Sequence, residues 1–261
     1  MDNILQSITK NNRALFLAYD QGMEHGPTDF NDENVDPNFI LQIAESGSPR
    51  FARSEAGYFT GLIFQKGIAE KYYRKEKHKT PLIVKLNGKT NLVKNKDPYS
   101  PLLCSVEEAV NFGAKAVGYT IYVGSEFESQ MTKEFSQIKE DAEKHHLPVI
   151  GWMYPRGKAV EGRENSKEIL AYAARLGLEL GADIVKLPYT GDCESFKWVV
   201  KSAGKCKVVV QGGVKTSEEQ FMQFAKDALS AGAIGFAVGR NIWQDLKPLK
   251  VAKQLSQIIF A

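Results

Sequence analysis

A lysine within an apolar run has the clearest chemical potential of any residue in this sequence. Lys186 lies in the run 184–187, which has the short, β-rich pattern of a buried strand. Burial disfavours the charged ammonium, so it lowers the pKa of a lysine and leaves a free amine at neutral pH. A free amine can attack a carbonyl group and form a Schiff base. The simpler alternative is that Lys186 extends its ammonium from the strand end to water, or pairs with a carboxylate.

Two further side chains that can transfer protons stand at the ends of other apolar runs. Tyr154 follows the run 149–153, and its phenol can donate or accept a proton beside the lysine. Asp20 follows the run 14–19 and could orient the lysine or carry protons. Each has a simpler interpretation as well, because a tyrosine at a strand end often only packs and an aspartate often begins a turn.

Glycine-containing loops after the last two apolar runs have the pattern of a phosphate-binding site. Gly212 and Gly213 follow the seventh run, and Gly239 and Arg240 follow the eighth. Glycine lets backbone N–H groups approach an anion closely. Tight turns alone would explain one such loop, but two loops with Lys215 and Arg240 beside them favour phosphate binding.

No group of residues in the sequence has the spacing of metal ligands. His25 lacks an HxxxH or HxH partner, and the three cysteines, Cys104, Cys193 and Cys206, form no CxxC pair. We therefore expect no metal and no other cofactor, and chemistry that depends on the lysine amine. Separated cysteines in odd number are also typical of the reducing cytoplasm.

The apolar runs that must position these residues recur eight times along the chain. They occupy residues 14–19, 61–64, 82–86, 116–121, 149–153, 184–187, 208–211 and 234–238. Segments with helical spacing lie between them, and Gly113, Gly181 and Gly232 predict helix ends placed directly before a strand. Eight such units, without a Gly-x-Gly-x-x-Gly turn after the first strand, predict a (β/α)8 TIM barrel in the α/β class rather than an open doubly wound sheet. The long segments 21–37 and 87–103 follow strand ends and would lie on the catalytic face.

Length and composition agree with a single barrel domain over residues 1–261. The chain has 43% apolar and 25% charged residues and a formal charge of +3. Its basic residues are scattered and do not alternate with aromatic residues, which argues against a nucleic-acid partner. It has neither the apolar stretch of a membrane helix nor the apolar core of a signal peptide in residues 1–10. We therefore expect a cytoplasmic protein with no membrane partner, whose slight positive charge suits a phosphorylated substrate.

Seven segments, taken together and in order, resemble the archaeal-type class I fructose-1,6-bisphosphate aldolases. They are residues 18–27, 84–90, 118–122, 154–157, 171–175, 189–192 and 237–241. These enzymes belong to a wider family of deoxyribose-phosphate aldolase-like barrels, and the resemblance runs over nearly the whole chain. It implies reversible cleavage of fructose 1,6-bisphosphate into dihydroxyacetone phosphate and glyceraldehyde 3-phosphate through a lysine imine, without a metal. It also implies a homo-oligomer, often a decamer.

The resemblance assigns a role to each candidate residue. Lys186 matches the Schiff-base lysine, Tyr154 the general acid/base and Asp20 the aspartate that supports proton transfer. The positions that match substrate-binding residues are Trp152 beside the tyrosine, His25 and Arg156 at the distal phosphate, and Gln211, Gly212, Gly213, Lys215, Gly239 and Arg240 at the proximal phosphate.

The chain departs from the pattern of that family at three positions. Gln211, Val214 and Pro188 stand where Ser, Pro and Lys are frequent. The first change alters a side chain beside the proximal phosphate and leaves the backbone donors in place, whereas loss of a lysine at position 188 could weaken or redirect the hold on the substrate.

Two other functions stay open at this point. One is a related lysine-dependent transaldolase, synthase or thiolase that acts on another phosphorylated ketose, and the other is a non-catalytic phosphosugar-binding barrel. The loop 24–27 favours the bisphosphate aldolase, and the joint presence of Lys186 and Tyr154 argues against a binding protein.

Overall fold

Eight parallel β-strands close into a barrel within the part of the chain that the structure describes. The structure is a computed structural model, and it describes residues 4–46, 57–93 and 96–261. The strands are β1 (Ala14–Tyr19), β2 (Gly61–Gln65), β3 (Leu82–Lys85), β4 (Ala116–Val123), β5 (Val149–Pro155), β6 (Ile184–Leu187), β7 (Lys207–Gln211) and β8 (Gly235–Val238). Each strand pairs with the next in chain order, and β8 closes the barrel on β1. The predicted TIM barrel is therefore confirmed, and each of the predicted apolar runs holds one strand.

Helices connect the strands and cover the outside of the barrel. Over the described residues the α-helices are α1 (Gly22–His25), α2 (Pro37–Glu45), α3 (Lys66–Tyr72), α4 (Val106–Asn111), α5 (Glu128–Lys144), α6 (Lys167–Glu179), α7 (Cys193–Ser202), α8 (Glu218–Ser230), α9 (Arg240–Trp243) and α10 (Pro248–Ile259). Short 3₁₀ turns occupy Ile4–Ser7, Gly26–Asp29 and Lys158–Val160. None of the helices in these described ranges combines the length and the apolar character that crossing a bilayer requires.

The ends of the outer helices follow local rules of the sequence. Serine side chains at positions 105, 166 and 217 accept backbone N–H groups at the starts of α4, α6 and α8. The predicted glycine exits are confirmed, because Gly113, Gly181 and Gly232 have φ values of 89°, 78° and 103° just after α4, α6 and α8. Glycine adopts this left-handed conformation without the steric cost that a Cβ brings, so each helix stops there and the chain turns into the next strand.

The hydrophobic core has two parts because both faces of each strand are covered. Side chains such as Phe16 and Ile150 fill the barrel interior, while others such as Phe64 pack between the barrel and the helices. This double burial explains why the strands read as continuous apolar runs rather than as alternating ones. Two lysines interrupt the pattern, since Lys85 on β3 and Lys186 on β6 are 4% and 5% exposed.

Buried polar side chains tie the two long segments at the carboxyl ends of the strands to the barrel. The Tyr19 hydroxyl donates to the carbonyl oxygen of Asn34 at 2.7 Å and so fixes the segment after β1. Asn87 is fully buried, and its Nδ2 donates to the carbonyl oxygens of Ser100 at 2.8 Å and Thr120 at 2.9 Å. The walls of the catalytic face are therefore held by side-chain hydrogen bonds where regular structure is absent.

Two alanine substitutions test the role of glycine at the helix exits. Gly181→Ala places a residue with a Cβ in a left-handed conformation. The new Cβ would meet only the flexible Lys139 side chain, so the cost is conformational rather than a clash. We expect the substitution to lower the free energy of unfolding by about 1 kcal/mol. The matched control is Gly67→Ala in α3, where no atom lies within 4 Å of the new Cβ, and we expect a gain of about 0.5 kcal/mol. Urea unfolding of both variants measures the difference, and a change of the same sign in both would contradict this account.

Candidate active site

A cavity of about 280 Å³ opens at the carboxyl ends of the strands, and most of the predicted site residues line it. It is lined by Ala18, Asp20, Gln21, Glu24, His25, Lys85, Tyr154, Arg156, Lys186, Gln211, Gly212, Gly213, Val214, Ala237, Gly239, Arg240 and Trp243. Of the predicted site residues, Trp152 and Lys215 are missing from this lining. The remaining ones meet here although they come from β1, β5, β6, β7 and β8, because the carboxyl ends of parallel strands share one face of a barrel.

Lys186 occupies the floor of the cavity against two aromatic rings. Its Nζ lies 5.1 Å from the ring centroid of Trp152 and 5.9 Å from that of Tyr154. Burial lowers the pKa of Lys186 to about 8, against a partial opposing effect of the Asp20 carboxylate. Roughly one lysine in ten then carries a free amine at pH 7, against about one in three thousand for an ordinary lysine. Lys186 thus has the burial and the lowered pKa on which the predicted nucleophilic role depends.

A second buried lysine, which we did not predict, faces the same carboxylate. Lys85 Nζ lies 3.4 Å from Asp20 Oδ2, and both side chains are almost fully buried. Burial raises the pKa of Asp20, but Lys85 and Lys186 outweigh that effect and hold the pKa below its usual range. Asp20 is therefore an ionised carboxylate between two lysines. The signal for Lys85 was present in the sequence, because it lies within the apolar run 82–86 just as Lys186 lies within the run 184–187.

Tyr154 stands beside Lys186 and keeps its proton. Burial, followed by the negative charge of Asp20, raises the pKa of the Tyr154 phenol well above its usual value. A phenol that holds its proton this firmly acts first as a proton donor. This geometry agrees with an acid role for Tyr154 next to the amine.

Trp152 lies in the barrel interior beneath the cavity. It pairs in register with Lys186 on the neighbouring strand and is fully buried. Its ring lies against the backbone of β4 at Gly118, where an added Cβ would come within 1.6 Å of the ring. Only glycine leaves space for the indole, so Gly118 permits the aromatic floor on which the Lys186 amine rests.

The two glycine loops lie side by side and form one wall of the cavity. Asn241, a residue that we did not predict, holds them together: its Nδ2 donates to the carbonyl oxygens of Gly212 at 2.8 Å and Val214 at 3.0 Å. A buried asparagine that follows the glycine and arginine of a predicted loop could have been recognised as a support for it. Lys215 points elsewhere, since its Nζ donates to the carbonyl oxygen of Gln244 at 2.6 Å.

His25 and Arg156 are the remaining predicted phosphate-binding residues, and they have different carboxylate partners. His25 Nδ1 lies 2.5 Å from Asp29 Oδ2, and the same oxygen lies 3.7 Å from Nη1 of Arg240. Arg156 forms an ion pair with Glu24, which the sequence reasoning did not single out. The cavity therefore has the Arg240 guanidinium beside the glycine loops, the Arg156 guanidinium beside the Tyr154 ring and the Lys186 amine on its floor. Such a set suits a carbonyl compound that carries anionic groups.

Within the described ranges 4–46, 57–93 and 96–261, no group of three or more His, Cys, Asp or Glu side chains is placed to hold a metal ion.

Comparison with known proteins identifies relatives along the whole chain. The sequence pattern of the family described as DeoC/LacD family aldolase matches residues 14–245. The chain is 49% identical to the fructose-bisphosphate aldolase class 1 of Thermoproteus tenax, over 99% of this chain and 94% of the relative. It is 37% identical to the fructose-bisphosphate aldolase/6-deoxy-5-ketofructose 1-phosphate synthase of Methanocaldococcus jannaschii, over 99% of this chain and 84% of the relative. A solved archaeal fructose-1,6-bisphosphate aldolase, whose catalytic lysine is bound to the carbinolamine intermediate, superimposes with a TM-score of 0.91 at 48% identity, covering 100% of this chain and 99% of that one.

The charges beside Lys186 predict opposite shifts of its pKa in two variants. Asp20→Asn removes the carboxylate that stabilises the ammonium and lowers the pKa of Lys186 below about 8, whereas Lys85→Met removes a positive charge and raises it. Competitive acetylation of Lys186 across the neutral and alkaline range, read by peptide mass spectrometry, measures both shifts. Lys66→Met is the control, because Lys66 pairs with Glu108 on the surface and should leave the pKa of Lys186 unchanged. Shifts of the same sign in the Asp20 and Lys85 variants would contradict the assignment.

Proposed function

The chain belongs to the DeoC/LacD family of aldolases, and from this membership we infer its activity. It is a Schiff-base fructose-1,6-bisphosphate aldolase, which reversibly cleaves its substrate to dihydroxyacetone phosphate and glyceraldehyde 3-phosphate. The observation that carries this conclusion in the structure is the buried Lys186 amine, which lies on the floor of a cavity that Arg156 and Arg240 also line.

We propose that Lys186 is the residue that forms the imine. Its neutral amine attacks the C2 carbonyl of the substrate to give a carbinolamine, which loses water to give a protonated imine. The imine accepts the electron pair of the C3–C4 bond when the C4 hydroxyl loses its proton, and glyceraldehyde 3-phosphate leaves. Protonation of the enamine at C3 and hydrolysis of the imine release dihydroxyacetone phosphate and the free amine.

Tyr154 is the proposed proton carrier of these steps. Its high pKa means that it begins with a proton, which it can give to the departing carbinolamine hydroxyl. The phenolate left behind is then a strong base that takes the proton of the C4 hydroxyl and later returns one to the enamine carbon. Asp20 supports these transfers as an ionised group that stabilises positive charge on Lys186.

The two ends of the cavity are the proposed phosphate sites. Backbone N–H groups of the loops at Gly212, Gly213 and Gly239, with the Arg240 side chain and Gln211, would hold the phosphate next to the imine carbon. Arg156 and His25 would hold the phosphate of the aldehyde half. We propose that Lys215 supports the first of these loops through its contacts with the segment after α9 rather than by contact with substrate.

A synthase activity on the same site is the second candidate. One relative at 37% identity is named for both aldolase and synthase activities, and transfer of a triose unit to another aldehyde would use the same lysine and tyrosine. Cleavage of fructose 1,6-bisphosphate without added aldehyde separates an aldolase from an enzyme that requires an acceptor. A purely binding role has less support, because Lys186 and Tyr154 lie together in the cavity.

We also propose that the protein works as a cytoplasmic homo-oligomer, as its family membership implies. The three cysteines are all free thiols, which suits a reducing compartment. Tyr172 and Trp198 on the outer helices are 61% and 48% exposed, and aromatic residues are enriched in protein–protein interfaces.

Trapping of the imine is the direct test of the proposed nucleophile. Borohydride reduction in the presence of dihydroxyacetone phosphate should attach the reduced triose to Lys186, which peptide mass mapping would locate. Lys186→Met should lose both the adduct and the cleavage activity, while EDTA should leave the wild-type activity unchanged. An activity that EDTA abolishes and borohydride leaves intact would contradict the mechanism.

Replacement of Tyr154 separates proton transfer from imine formation. Tyr154→Phe keeps the ring against Lys186 and removes the phenol, so we expect cleavage to slow by about 10²–10⁴-fold. The variant should still bind dihydroxyacetone phosphate and give some borohydride adduct on Lys186, because the amine is retained. Steady-state cleavage rates and adduct mass measure the two effects, and a rate within a few-fold of wild type would remove Tyr154 from the mechanism.

A further inference from the structure

The Glu24–Arg156 ion pair lies in the wall of the cavity that faces the aldehyde half of the substrate. Both side chains line the cavity, and an oxygen of Glu24 accepts a hydrogen bond from Nη1 of Arg156. Glu24 comes from α1, which follows β1, whereas Arg156 follows β5. The proposed distal phosphate-binding cation therefore has a counter-ion from this chain in its immediate neighbourhood.

Two aromatic rings lie beside the Arg156 guanidinium, whose side chain is 45% exposed. Its Cζ lies 5.5 Å from the ring centroid of Tyr122 and 5.6 Å from that of Tyr154. Such contacts between a guanidinium and aromatic faces orient it without needing a carboxylate. Glu24 therefore contributes mainly its negative charge, since the rings also orient the Arg156 side chain.

Glu24 keeps that charge inside the cavity wall. Its side chain is 10% exposed, and the Tyr122 hydroxyl donates to Oε1 at 3.2 Å. Burial raises the pKa of Glu24, but Arg156, Lys85 and Lys89 outweigh it and keep the pKa below its usual range. The carboxylate is therefore present and ionised at neutral pH.

An internal counter-ion changes how the site discriminates between substrates. A phosphate group that approaches Arg156 meets a guanidinium whose charge Glu24 already compensates in part, and it is repelled by the carboxylate. A substrate without that phosphate leaves the ion pair intact, so the buried Glu24 carboxylate keeps its partner. Both effects reduce the preference for a phosphate at the aldehyde end.

We propose that Glu24 is a specificity-determining residue, which lets the aldehyde end of the cavity accept ketose 1-phosphates that lack a distal phosphate as well as the bisphosphate. This inference rests on the proposed function, because it takes Arg156 as the distal phosphate-binding residue. It assigns to Glu24 the balance between the two substrate classes and assigns it no part in the imine chemistry.

The test is the selectivity of Glu24→Gln. The amide keeps an oxygen that can accept from Arg156 and Tyr122, while the negative charge is lost. We expect the ratio of kcat/KM for fructose 1,6-bisphosphate to kcat/KM for fructose 1-phosphate to rise about tenfold, chiefly through the two KM values. Glu108→Gln is the matched control, since Glu108 pairs with Lys66 on the outer surface and its loss should leave the ratio unchanged.

A second variant keeps the charge and moves it. Glu24→Asp withdraws the carboxylate from Arg156 by one methylene group, and the ratio should rise by a smaller factor in the same direction; this variant carries the test if Glu24→Gln does not fold. A ratio that stays the same or falls would overturn the proposal and leave Glu24 as a positioning residue for Arg156. Failure of the wild type to cleave either ketose would instead overturn the proposed function, and this inference with it.

Discussion

Burial of a lysine amine in an apolar barrel is the constraint on which the rest of the site depends. Burying a charged ammonium on the barrel floor costs free energy, and two opposing effects set the pKa of Lys186 there. The aromatic floor of Trp152 and Tyr154 keeps Lys186 away from water and lowers its pKa, while Asp20 prevents the pKa from falling further. The outcome is an amine that is free often enough to attack a ketone and still basic enough to form a stable protonated imine.

The segment after β1 supplies three carboxylates that pair with cations of the catalytic face. Asp20 pairs with Lys85 from β3, Glu24 pairs with Arg156 after β5, and Asp29 lies near Arg240 after β8. One stretch of chain thus pairs with three other parts of the barrel. This arrangement orients the cations that would bind phosphates, and it keeps their charges from repelling one another while no substrate is bound.

The environment of the proposed nucleophile depends on Gly118, a residue that has no side chain. Trp152 can lie beside Lys186 only because Gly118 on the next strand has no side chain. A larger residue at that position would push the indole toward the amine or out of the barrel interior, and would change both packing and electrostatics. The reactivity of the lysine is in this sense a property of three adjacent strands, β4 to β6.

The sequence by itself determined the elements and the positions of the proposed catalytic residues. Strands buried on both faces must be continuously apolar, and helices that end before a strand need a glycine with positive φ, so the barrel could be predicted from local patterns. Lys186, Tyr154 and Asp20 could be found because each stands in or after such a run. Only the tertiary structure decided the partners: that Lys85 faces Asp20, that Glu24 neutralises Arg156, that Asn241 joins the two glycine loops, and that Lys215 turns away from the cavity. The physical reason is that burial and ion pairing depend on distances between residues far apart in the chain, which no local pattern encodes.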